Sequence, residues 1–149
     1  MRQSNPLVQE YIALLHEAYD HRAWHGTTLK GSLRSVRLEQ AARTLAGRKS
    51  IWQQLLHAAY WKQRVLVRVT GIPESLPRKG ANWPRLPEKL TEAAWRADQR
   101  MLDGIQSKLI AAVSKLRDRD LTPKIRFFLR GAAFHDIYHT GQIKLLWRL

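Results

Sequence analysis

The sequence predicts an all-α protein, a four-helix bundle that occupies residues 1–149 as one domain. Three observations carry that expectation. Four long stretches repeat apolar residues at three- and four-residue spacing, the period of a helix. Capping and breaking residues bound these stretches where helix ends need them. No run reads convincingly as a strand, and hydrophobic residues make up 44% of the chain, enough for a core of ordinary size.

The first helix is expected from Pro6 to Tyr19: Asn5 suits its cap, Pro6 its first turn, and Leu7, Tyr11, Leu14, Leu15 and Ala18 recur on one side. Trp24-His25-Gly26-Thr27-Thr28 interrupts it, and short helical pieces follow at Leu29–Val36 and Leu38–Leu45, ending at Gly47. The second long helix starts at the N-cap Ser50, runs through Ile51, Trp52, Leu55, Ala59, Leu66 and Val69, and ends at Gly71. Between Ile72 and Pro87 stand four of the six prolines, which predicts a long loop; loops of this length are usually functional. The third helix is expected from Pro87 to Leu116, with Leu90, Met101, Leu102, Ile105, Leu109 and Val113 buried. Thr122-Pro123 then opens a last helix that runs nearly to Leu149. Bundles of this kind place metal sites between facing helices.

Bulk properties narrow the chemistry. There is no cysteine, which removes disulfides, thiolate metal ligands and a cysteine nucleophile; any metal must be held by imidazole and carboxylate, and any reacting thiol must arrive with a substrate or cosubstrate. No apolar run approaches the ~18 residues that span a bilayer, so no membrane association is expected. The first six residues, Met1–Pro6, lack the apolar core of a signal peptide. Both absences predict a cytoplasmic location.

Lys and Arg number 26 against 12 Asp and Glu, a formal charge of +14. Such a balance attracts anions, either nucleic acid or acidic small molecules. The basic residues are spread from Arg2 to Arg148 with only short clusters, Arg48-Lys49 and Arg78-Lys79, so a coherent nucleic-acid face is not evident. The six tryptophans lie on separate segments and read as core or dimer contacts rather than a base-stacking platform; a homodimer is the expected assembly.

The strongest local signal is Phe134-His135-Asp136-Ile137-Tyr138-His139-Thr140-Gly141-Gln142-Ile143. His135 and His139 are four apart, so on a helix they share a face and can meet one ion. That face also carries Ile125, Phe128, Ala132, Ile143 and Leu146, which turns the pair inward. Two imidazoles in a core are costly to desolvate unless they have partners. By the same periodicity His57 falls off the centre of its apolar stripe, near Tyr60, Trp61 and Arg64, and reads as a boundary residue.

Over nearly its whole length the chain resembles the DinB/YfiT-like superfamily of four-helix-bundle metalloproteins. The resemblance is carried by Ala23-Trp24-His25-Gly26, by Ser50-Ile51-Trp52-Gln53-Gln54-Leu55-Leu56-His57 with Trp61, by Asn82-Trp83-Pro84 and Ala94-Trp95, and above all by His135 to Ile143. It implies that His135 and His139 are metal ligands and that His57 supplies the third. It also implies a divalent ion, zinc or nickel before iron or manganese, and one of two activities: transfer or isomerisation with a low-molecular-weight thiol, or metal-dependent hydrolysis. The alternative is a basic nucleic-acid-binding or stress-related module without catalysis.

Three further residues are candidates for the chemistry, each with a plain structural alternative. His25 either faces the pocket or packs its loop. Asp136 either orients a ligating imidazole or is a surface carboxylate. Tyr138 either donates a proton or packs. His16 and His21 are expected to face solvent.

Overall fold

The computed structural model describes residues 5–149; Met1–Ser4, part of the stretch read for a leader, lie outside the described residues. Four long helices form: α1 (Pro6–Tyr19), α4 (Ile51–Thr70), α5 (Glu92–Ser114) and α6 (Pro123–Arg148). Two one-turn helices, α2 (Leu29–Leu33) and α3 (Leu38–Ala42), lie in the first connection, and a 3-10 turn at Asp118–Asp120 precedes α6. Among the described residues there is no strand, and no helix is long and apolar enough to cross a membrane.

Local chemistry sets most of the boundaries. The Ser50 hydroxyl accepts from Gln53 N while the Gln53 side chain accepts from Ser50 N, a reciprocal cap that starts α4. Gly71, at φ +71°, ends it in the left-handed conformation that glycine adopts without strain. Thr122 caps α6 through Ile125 N, ahead of Pro123. The third long helix begins later than expected. Thr91, not the segment at Pro87, supplies its cap by accepting from Ala94 N, so Leu90 lies outside the helix and is exposed rather than buried.

The four long helices close a ring in which each packs on two neighbours: α1 on α6, α6 on α4, α4 on α5, and α5 on α1. Their apolar faces make two clusters. One gathers around Trp52, Leu55, Trp95, Leu102 and Ile143, the other around Leu15, Leu66, Leu109, Val113 and Leu129. Each fully buried leucine among them contributes roughly 1.5–3 kcal/mol. In the cluster of Trp52, the indoles of Trp52 and Trp95 pack at 5.2 Å and donate to Asp98 and to the Val36 carbonyl, so neither buries an unmet N–H.

Along α4, α5 and α6 a polar layer falls where one apolar cluster gives way to the other. Lys62 Nζ donates to Gln106 Oε1 at 2.6 Å and to Asp136 Oδ2 at 2.5 Å, and lies 4.4 Å from the centre of the Tyr19 ring. The pair is almost fully buried, so three helices are tied at one level by a charge pair in low dielectric. One turn further along α6 stands His139.

Candidate metal centre

His57 on α4 meets His135 and His139 on α6. The helical spacing of the last two puts both rings on the side facing α4, as expected. His57 is 8% exposed, not the boundary residue its periodicity suggests. The reason is local: every residue from Gln54 to Ala59 is buried, because α5, α6, α3 and the 71–91 loop all surround this part of α4.

The three rings are oriented from outside. His57 Nδ1 donates to the Asn82 carbonyl at 2.6 Å, and His139 Nδ1 donates to Gln54 Oε1 at 2.5 Å. A carbonyl oxygen only accepts, so both protons sit on Nδ1 and both Nε2 atoms carry lone pairs. These lone pairs point at a common place: His135 Nε2 is 3.2 Å from His57 Nε2 and 3.0 Å from His139 Nε2. Three nitrogens bound to one tetrahedral ion at ~2.05 Å would stand about 3.3 Å apart. The donor set therefore fits a single small divalent ion in number and type, both distances from His135 Nε2 are close to that spacing, and all three ligand atoms lie within 4.8 Å of one another.

Electrostatics favour the ligating state. Burial, with the neighbouring imidazoles, pushes His139 down to about 3. Burial pushes His135 down to about 4, with His57 and Lys62 adding repulsion. His57 is also lowered by burial, although the Asn82 carbonyl opposes this. Neutral imidazoles are what a metal needs, and protons would compete for the same lone pairs.

The second connection serves the site. Arg78 donates to Asp98 Oδ1 at 2.5 Å and pins the loop to α5. Asn82, at φ +63°, then turns its carbonyl toward His57, while its side chain accepts from Trp61 Nε1 at 2.8 Å. Trp83 stacks on the His57 ring at 3.9 Å with the planes 16° apart. Loop and helices together leave a cleft of about 530 Å³ beside the imidazoles, with Gln54, Trp83, Tyr138 and Gln142 among its walls.

The other candidates fall differently. Tyr138 lies on the cleft but is 61% exposed, so it is not packed in the core. Asp136 is neither a surface carboxylate nor the partner of an imidazole. It is buried and receives Lys62. His25 is exposed in the Ala23–Gly26 turn and is not among the residues lining the cleft. His21 is exposed and His16 half-buried, and both rings bond Asp20 Oδ1, at 2.8 and 2.9 Å. Of the tryptophans, Trp52 and Trp95 are core, whereas Trp24 is 97% exposed.

Residues with no site role in the sequence reading prove central. Gln54 sits three positions before His57, so the two polar side chains share a face of α4, and that spacing was the available signal. The Asn82 contribution is a backbone carbonyl, for which side-chain identity carries no signal.

Fold and site together define a four-helix bundle with three inward imidazoles on two facing helices. The family model described as the DinB superfamily matches residues 10–143, about nine-tenths of the chain, and the chain belongs to that superfamily. No curated protein and no solved structure gives a significant match.

Proposed function

We propose that this protein holds one divalent metal ion with His57, His135 and His139 and works as a metal-dependent enzyme, a thiol S-transferase before a hydrolase. One observation carries the reading: the Nε2 atoms of His57 and His139 lie 3.2 and 3.0 Å from His135 Nε2 while the Nδ1 atoms of His57 and His139 are occupied by carbonyls. A single proton on His135 can relieve only one of its two close contacts. A cation satisfies all three donors.

When bound, a divalent ion with three neutral ligands keeps its full charge and lowers the pKa of a thiol or of water. The chain's own groups prepare the place for it. Gln54 and Asn82 hold two rings in one tautomer and orientation. Trp83 covers one face of His57 and keeps water from it. Tyr138 lines the cleft, which supports a role for its hydroxyl in giving or taking a proton there. The absence of cysteine assigns the thiol to a cosubstrate.

The test is elemental analysis of protein purified without a polyhistidine tag, followed by assay of thiol addition to an electrophile. The expected result is one metal ion per chain, lost in His139→Ala together with activity. Full activity in metal-free protein would end the catalytic reading, and failure of the wild type to bind zinc, nickel or cobalt would end the metal reading.

A further inference from the structure

The same cleft carries a charge asymmetry that its metal ligands do not explain. Besides the imidazoles, its walls hold Arg48, Lys49, Trp83, Tyr138 and Gln142, and none of its lining residues is Asp or Glu. Neither Arg48 nor Lys49 joins an ion pair among the described residues. We infer that the ligand of this cleft is a small molecule bearing a carboxylate or phosphate, held by Arg48 and Lys49 while its reacting end faces the three imidazoles. This rests on the reading of the histidine cluster as the reactive centre.

Backbone and packing fix the two cations where such a ligand would meet them. Ala46 at φ +47° and Gly47 at φ +72° turn the chain, so that residues 48 and 49 run directly into the Ser50 cap of α4. Lys49 Nζ then lies 5.4 Å from the centre of the Trp83 ring, the same ring that stacks on His57. A cation–π contact of this kind holds the ammonium at the cleft wall without neutralising it. Arg48 offers a planar fork that matches the two oxygens of a carboxylate or phosphate. Both stand at the N-terminal end of a 20-residue helix, whose dipole adds potential of the same sign.

Charge balance leads to the same class. Three neutral imidazoles compensate none of a divalent ion's charge, and the two cationic side chains add to it. A cationic substrate would be repelled, and an uncharged one would leave Arg48 and Lys49 unused. At about 530 Å³ the cleft is of small-molecule size, within the ~300–1,000 Å³ usual for ligand sites, so the anionic anchor and the reacting group fit in one molecule.

Calorimetric titration at low salt tests this with two unreactive probes, tricarballylate for carboxylate and glycerol 3-phosphate for phosphate. Metal-free and cobalt-loaded proteins are titrated in parallel, and tricarballylamide is the uncharged control. The wild type is expected to bind at least one anion with Kd of about 1 mM or tighter, and the amide not at all. Arg48→Gln/Lys49→Gln is expected to weaken binding about tenfold or more, a loss of roughly 1.4 kcal/mol. Arg119→Gln/Lys124→Gln, which removes the same charge near the α5–α6 connection, is expected to change it less than about twofold. Both altered pairs are exposed, so the fold persists, and thermal melting checks this.

No binding of either anion, or equal losses in the two double variants, overturns the inference. Metal content of the same samples separates it from the metal reading. Anion binding that depends on Arg48 and Lys49 in a protein that takes up no metal would sink the metal centre and keep the anion site. One metal per chain without anion binding would do the reverse.

Discussion

Gln54 Oε1 accepts the Nδ1 proton of His139 at 2.5 Å, and Gln54 stands three residues before His57 on α4. One turn of a single helix thus supplies an imidazole of its own and the group that orients an imidazole of another helix. The relationship fixes two things at once. It places the His139 lone pair on Nε2, and it ties the register of α6 to that of α4 at the level of the site.

Removing that bond is expected to loosen the ligand without deleting it. Gln54→Ala frees the His139 ring to rotate and change tautomer, so metal affinity falls by about 10–100-fold. Gln54→Glu keeps an acceptor and raises ligand basicity, so its affinity stays at or above that of the wild type. Competition against a chelating dye at pH 7 measures both. Wild-type affinity in Gln54→Ala would mean that packing alone orients the ring.

The lowered histidines give the metal-free protein an acid limit. His135 and His139 are held at about 4 and about 3, mainly by burial, against ~6.5 in an unfolded chain. Between pH of about 6.5 and 3 the unfolded state therefore binds protons that the folded state refuses, and stability falls as pH drops through that window. Above ~7 these groups contribute no slope. Urea unfolding in chelator at pH 7, 5.5 and 4.5 should show the decline, and His135→Gln/His139→Gln should flatten it. Equal slopes in the two proteins would assign the acid sensitivity to other groups.

Much of this was legible beforehand, for local reasons. The bounds of α1 and α4 follow from Pro6, Ser50 and Gly71, residues whose geometry at helix ends is nearly compulsory. The start of α5 was misplaced because two signals compete there. Pro87 suits a first turn, but the Thr91 hydroxyl meets Ala94 N, and Leu90 gains nothing from the core. His135 and His139 were legible from their own spacing. His57 was not, since periodicity assumes one buried face, and α4 is enclosed on all sides from Gln54 to Ala59. The Asn82 carbonyl and the Lys62–Asp136 pair depend on residues brought together from 25 and 74 positions apart, which no local pattern records.

The buried Lys62–Asp136 pair is expected to be fragile when halved and dispensable when removed whole. Lys62→Met strands a carboxylate that is 1% exposed and should cost about 3–5 kcal/mol. Lys62→Met/Asp136→Leu restores most of that, because packed apolar groups avoid the desolvation of both charges. Thermal melting reads the recovery. The double variant is also expected to keep one metal per chain, as Asp136 bonds no imidazole. Loss of metal from a variant that melts normally would show that Asp136 acts on its neighbour His135 after all.

The loop from α4 to α5 should behave as a removable wall of the site. Arg78 is its anchor on Asp98, and Asn82 is its contact with His57. Arg78→Met releases the anchor, so cleavage within residues 72–91 by a protease should quicken, and metal affinity should fall about tenfold as the Asn82 carbonyl withdraws. Asn82→Gly keeps both the carbonyl and the left-handed φ of +63°, losing only the bond from Trp61, and should bind metal nearly as well as the wild type. Asn82→Val has the same carbonyl but a β-branched side chain that disfavours this φ, and it should resemble Arg78→Met. If Asn82→Gly and Asn82→Val bind metal equally, backbone conformation at position 82 does not govern the His57 ring, and the loop is a cover rather than a support.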